Sequence, residues 1–341
     1  MLSASCVRVG AVAVVVVLGC TTLGAGPASS RPSDVRGPST LAVTGFILDG
    51  APDSLVHQNA GALANLGVDG VQVTSDGRNV SAPSVGAKRL VATAHTDGLT
   101  AELLVSNFSS KTYDFDPEIG ARLLRNPAHV KRVAGELAGF VAAQDWDGIA
   151  IDLESLRRGD ADGLLLLIDE LQSRMDPAKT VSVDMMASSS LPEYRARGYK
   201  LGAIGQAVDV LAIMTYDFHG PTWSGPGPVG PLPWQRDVLD VLLTKVASDK
   251  IDLGVAGYGY TWPKHGTGHS VSVKKARALV AADGAHAVWK AQAGEWKATL
   301  SNGTVMWWSD GKSYDRRATL AAEYGVHGLA LWRLGSTDTL R

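Results

Sequence analysis

The sequence predicts an α/β fold, a parallel (β/α)8 (TIM) barrel, on three observations. Short β-branched or apolar runs recur eight times, and stretches with helical spacing lie between them. Regular strand–helix alternation over roughly 300 residues is the pattern of a single closed barrel. No Gly-rich phosphate loop follows the first run, which argues against an open doubly wound sheet.

Taken in order, the chain opens on a leader. Arg8 supplies a lone positive charge ahead of "VGAVAVVVVL" (9–18), an apolar core of signal-peptide length and shorter than the roughly 20 residues a bilayer requires. "VLGC" (17–20) resembles the bacterial lipobox, which implies that Cys20 is lipidated; a plain secretory peptide cut near "GAGPASS" is the alternative. Residues 1–20 are thus expected to be an export leader. Residues 21–40, ending in the Ser-, Pro- and Gly-rich "ASSRPSDVRGPST", are expected to be a flexible tether. The expected address is extracytoplasmic, either membrane-anchored or secreted. Cys6 and Cys20 are the two cysteines of the chain, so the folded part contains no disulfide.

The barrel proper is expected over 41–341. Its strands fall at 41–48, 68–74, 101–108, 148–154, 180–187, 208–217, 250–259 and 327–335. Helical spacing is clear at 127–144, 161–175 and 231–247. Roughly 65 residues separate the last two strands, more than one crossover helix needs. This segment, about 262–326, holds a helix-like "SVKKARALVAADG" and a hairpin-like "EWKATLSNGTVMWWSD" with Ser301-Asn302-Gly303-Thr304 at its turn. It reads as a small α+β insertion beside the barrel mouth.

Charge narrows the partners. Lys and Arg total 32 against 34 Asp and Glu, for a formal net charge of -2. That balance excludes the basic footprint of a nucleic-acid binder, and leaves a lipid anchor as the one expected tie to a membrane. The eight His form no HExxH and no spaced cluster with Cys, so no metal or other cofactor is implied. His219 has no Ser on a nucleophile elbow to serve.

The chemistry concentrates in "DWDGIAIDLESL" (145–156). Side chains alternate along a strand, so Ile149, Ile151 and Leu153 take one face while Ala150, Asp152 and Glu154 take the other. The apolar face suits the helix ring. The carboxylates then point into the barrel near the strand's C-terminal end, where (β/α)8 enzymes carry their sites. Two close carboxylates push each other's pKa apart, so one can stay protonated as an acid while its neighbour stays charged. A buried salt bridge or strand-end turn is the structural alternative.

"DGIAIDLE" resembles the DGxDxDxE signature of glycoside hydrolase family 18, the chitinase-like family. Asp147, Asp152 and Glu154 match it; Ala150 stands where chitinases have another Asp. "MTYDFHG" (214–220), "WSGPGPVGPLPW" (223–234), "LLVSNF", "LGVAGYGYTWP" and "GLALWRLG" resemble the bacterial branch that includes spore-cortex-lytic N-acetylglucosaminidases. The resemblance spans roughly 41–338. It implies substrate-assisted, retaining hydrolysis of a β-linked N-acetylglucosamine polysaccharide, peptidoglycan or chitin-like. Glu154 is the implied acid and base. Asp152 is the stabiliser of the acetamide, Tyr216 the holder of the acetamide carbonyl, and Asp217 a partner of that group or of Tyr216. Trp332 is the implied floor under the sugar, and Met214 shares the interior face with Tyr216. Asn107, Trp234 and Tyr258 are candidate sugar contacts, with Tyr260 and Trp262 beside them. Packing is the alternative for each aromatic, and a turn for Asn107. Ala150 implies that Asp152 loses a proton-sharing partner, so a non-catalytic glycan-binding protein is the competing expectation.

Overall fold

The computed structural model describes residues 41–340, so the expected leader, Cys20 and the whole of the expected tether lie outside the described residues. Eight parallel strands close a barrel: β1 Ala42–Leu48, β2 Asn65–Gln72, β3 Thr100–Ser106, β4 Gly148–Asp152, β5 Thr180–Met186, β6 Val210–Met214, β7 Ile251–Ala256 and β8 Gly328–Trp332. Each pairs with its sequence neighbours, and β1 closes on β8. The eight expected strands are all present.

The helices form where apolar spacing and end signals coincide. Pro127–Gln144 begins at Pro127, with the Asn126 side chain accepting from the Ala128 N–H. It buries Val130, Val133, Ala134, Leu137 and Val141, one stripe of a 3.6-residue period. Ala161–Arg174 does likewise through Leu164, Leu167, Ile168 and Leu171. The helix expected to reach 247 spans only Leu232–Leu242.

The barrel interior is layered. Phe46, Leu104, Ala150, Ala212 and Ala330 form one buried apolar cluster, reached from the mouth by Trp332. Phe46 fits because its in-register neighbour is Gly67, where an added Cβ would lie 2.4 Å from the ring. Below this belt, Glu102 is buried among the Thr180, Ser182 and Asn65 side chains, which donate to it.

The insertion departs from expectation at its start. The run 250–259 is two strands, not one. The barrel strand ends at Ala256, and Tyr258–Trp262 enters a separate antiparallel sheet. Gly257 makes the junction, where an added Cβ would meet the Thr337 side chain at 2.6 Å. That sheet runs Ser270–Ser272, Tyr258–Trp262, Val305–Trp308, Glu295–Thr299, Val288–Lys290. Alternation sorts its two faces. Met306 and Trp308 pack with Val273, Ala276 and Val280 of the helix Val273–Asp283. Tyr258, Tyr260, Trp262 and Trp307 form the opposite face, gathered with Val229, Tyr216 and Trp332 at the barrel mouth. A buried ion pair, Arg317–Glu295 at 3.0 Å, fastens this sheet to the segment after β6. Glu295 accepts from the Val229 and Gly230 N–H groups at 2.8 and 2.7 Å, and Arg317 donates to the Gly230 carbonyl at 2.6 Å.

Candidate active site

Strand β4 ends at Asp152, two residues short of the expected 148–154, and Glu154 follows just beyond it at the C-terminal mouth. Ala150 below them is fully buried in the interior cluster, so this alternation does put the set on the inner face. Asp147, first residue of the resembled motif, serves elsewhere. It lies at the opposite end of β4, bonded to His95 Nε2 at 2.8 Å and accepting from the Ala101 N–H at 2.9 Å. Burial raises its pKa, but these bonds and Lys179 outweigh it and hold the carboxyl below its ordinary value.

Glu154 is fixed through its backbone. Asn107 Oδ1 accepts from the Glu154 N–H at 2.9 Å, and Asn107 Nδ2 donates to the Glu154 carbonyl and the Asp116 carbonyl, each at 3.0 Å. Asn107 is 0% exposed, and its amide is spent on these bonds. The sugar contact expected of it is therefore corrected to a positioning role. The backbone then turns at Ser155, with φ +57°.

Strand β6 ends at Met214 because Thr215 turns its hydroxyl to the Gly254 carbonyl at 2.7 Å. Tyr216 follows, edge-on to Tyr258 with ring centroids 6.3 Å apart. Asp217 takes a left-handed φ of +59° and accepts from the Tyr258 and Tyr260 hydroxyls at 2.5 and 2.8 Å. Its protein partners are thus the insertion's tyrosines and not Tyr216, one of the two partners expected for it beside the substrate's acetamide. Tyr258, expected at the sugar, spends its hydroxyl on Asp217.

A cleft of about 360 Å³ opens over these groups, lined by Glu154, Met214, Tyr216, Asp217 and Trp234, with Met186, Glu193, Arg197 and Phe218. Phe218 lies against Trp234, ring centroids 4.9 Å apart. A second hollow of about 300 Å³ begins on the other side of Asp217, walled by Tyr258, Tyr260, Trp332 and Arg333. Trp332 leans on Phe46 at 5.9 Å, so its ring spans the step between the interior belt and the mouth. Met186, Glu193, Arg197 and Phe218 were not picked out by the sequence reading. Met186 shares the inner face of β5, a signal alternation could have exposed; Glu193 and Arg197 arrive on a short helix, Leu191–Ala196, and its end.

The electrostatics follow from burial. Glu154 is raised well above the ordinary Glu pKa by burial first, then by Asp152, Asp217 and Asp114. Asp152 is raised well up by burial, then by Asp184 and Asp69. Burial likewise raises Asp217, while its two tyrosine donors pull it back. Such an array favours the neutral form of a carboxylic acid above its ordinary range and sets a second carboxyl beside it. Among the described residues, no group of three or more His, Cys, Asp or Glu has metal-holding geometry.

Comparison with known proteins agrees with this geometry. The model of Glycosyl hydrolases family 18 matches residues 118–337. An uncharacterized glycosylase, YvbX, of Bacillus subtilis (strain 168) is 24% identical over 68% of this chain and 70% of its own length. The cortical fragment-lytic enzyme of the same organism is 25% identical over 80% of this chain. The chain spans 65% of that enzyme's length. Among solved structures, a chitinase from Chromobacterium violaceum ATCC 12472 superposes with a TM-score of 0.78 at 25% identity, covering 87% of this chain and 95% of that one. With a match over most of the barrel and both carboxylates of the signature at its mouth, the chain belongs to glycosyl hydrolases family 18.

Proposed function

We propose that this protein hydrolyses β-linked N-acetylglucosamine glycans with retention of configuration, using the substrate's own acetamide as nucleophile. The observation that carries the proposal is the pair Asp152 and Glu154: Asp152 is the last residue of β4, and Glu154, two residues on, lines the cleft at the mouth. The relatives' names, glycosylase, cortical fragment-lytic enzyme and chitinase, support a glycan substrate of this class.

The residues divide the work as follows. Neutral Glu154 gives its proton to the glycosidic oxygen as that bond breaks. The acetamide carbonyl oxygen attacks the anomeric carbon from the opposite face and forms an oxazolinium ion. Charged Asp152 accepts from the acetamide N–H and stabilises this cation. Tyr216 donates to the acetamide oxygen and holds it in line. Glu154, now a carboxylate, takes a proton from water as the water opens the ring at the anomeric carbon. Two displacements on opposite faces restore both the acetamide and the original configuration. Trp332 offers an apolar ring to the sugar's C–H face.

The test is Glu154→Gln on the described barrel with peptidoglycan and chitooligosaccharides, products read by mass spectrometry. Turnover should fall about 10²–10⁴-fold while glycan binding persists. Unchanged turnover would remove Glu154 as the acid. A glycan-binding role is the second reading, favoured by Ala150 in place of a motif Asp; it predicts that wild type and variant bind equally and that neither cuts.

A further inference from the structure

Strand β5 presents a carboxylate with no assigned use. Ala150 pairs with Ser182 and Ile151 with Val183, so the next step along the two parallel strands sets Asp184 beside Asp152. Asp184 also pairs with Ala212, a member of the interior belt, so its side chain points into the barrel. It is 5% exposed and Asp152 is 6% exposed. One carboxylate oxygen of each is fully buried with no hydrogen-bond donor. Two adjacent carboxylates in so apolar a place cannot both carry charge, and two orphan acceptors side by side are both satisfied by one proton between them.

We propose that Asp184 is a positioning residue that shares a proton with Asp152, taking over from the neighbouring strand the part of the carboxylate that Ala150 lacks. This rests on the hydrolytic reading above. The site of the missing carboxylate is closed: Ala150 is packed by Phe46, Leu104, Ala212 and Ala330. Asp184 restores a carboxyl partner one strand over. Neutral Asp184 donates to Asp152, which keeps Asp152 charged toward the acetamide N–H. No proton is gained or lost across the pair.

The surroundings fit a held proton. The groups facing the two carboxylates are Glu154 and Tyr216 above, Asp69 across the barrel, and Glu102 and Asp252 below. His327 is engaged by Asp252 at 2.7 Å, and Arg333 acts on Asp69, so neither neutralises the pair. Burial and the neighbouring carboxylates raise both groups well above the ordinary Asp pKa. Asp184 also lines a hollow of about 320 Å³ that reaches it from the N-terminal end of the barrel, past Glu102, Ser182 and His327. The shared proton therefore has a polar approach separate from the substrate cleft.

The experiment pairs kinetics with a titration that needs no substrate. For Asp184→Ala, the acid limb of kcat/KM should move up by a pH unit or more, with kcat down about 10–100-fold, because Asp152 is left buried without a donor. Asp184→Asn keeps a donor, so it should hold kcat within about tenfold and not move that limb upward. A purely structural role would lower stability in both and leave the limb in place. Wild-type profiles in a folded Asp184→Ala would overturn the proposal. In 13Cγ-Asp labelled protein, NMR should show Asp152 titrating in two coupled steps in wild type and in one step in Asp184→Asn. An Asp152 curve identical in both proteins would also overturn it. If wild type cuts no glycan, the hydrolytic reading fails alone, and the NMR titration still decides whether the proton is shared.

Discussion

Replacing Asn107 with Ala should damage both stability and turnover. Three hydrogen bonds disappear, two of them to the Glu154 peptide. The Glu154 N–H is left without its acceptor in a place where Asn107 is wholly buried. An orphaned buried donor costs about 1–3 kcal/mol, and the two carbonyls, which accept less obligatorily, add a smaller amount. The total is about 2–5 kcal/mol, near the upper end for a single substitution. At roughly 2–4 °C per kcal/mol, Tm should fall by about 4–20 °C. The released Glu154 backbone also shifts the acid, and a displacement near 1 Å can lower kcat about 10²-fold. Differential scanning calorimetry gives the first quantity; kcat and KM on a chitooligosaccharide give the second. An Asn that touched sugar would instead raise KM with Tm unmoved. That outcome would refute the positioning argument.

Other expectations follow from the same geometry. Tyr258→Phe removes the 2.5 Å donor to Asp217. Asp217 should then titrate higher still, moving the acid limb of kcat/KM to higher pH, and Tyr260→Phe should do so less; identical profiles in all three proteins would exclude the network. Asp69 is held up to about 6 by burial and by Asp49, against Arg333, from an ordinary value of 3.8. A raised folded pKa means stability present below about pH 4 and lost as pH rises to about 6 and beyond. Asp69→Asn should therefore gain stability relative to wild type at pH 8 but not at pH 3.5, by at most about 3 kcal/mol; equal differences in guanidinium titrations at both pH values would contradict this. The full chain expressed in a bacterium should fractionate with membranes, and Cys20→Ser should release it; wild type found wholly in the medium would rule out the lipid anchor.

Much of this molecule is local, and what is local was legible in the sequence. Apolar periodicity fixed the eight strands, the helix stripes, and the face on which Asp152 and Glu154 stand, because strand and helix repeats are properties of consecutive residues. What lies beside a residue across a strand pair is not local. Gly257 could be read as strand interior; the pairing of Tyr258–Trp262 in a separate sheet is what shows that the chain leaves the barrel there. Tyr258 and Tyr260 looked like sugar contacts until that departure carried their hydroxyls onto Asp217, more than 40 residues away in the chain. Asn107 looked like a strand-end residue free to face the mouth; 47 positions later, Glu154 takes up its amide. Asp184 obeys the same alternation as Asp152, yet its neighbour is set by the register of β4 against β5. Sequence period determines which face a side chain takes; only closure of the barrel determines which side chains share that face, since register is fixed by the packing of the whole ring.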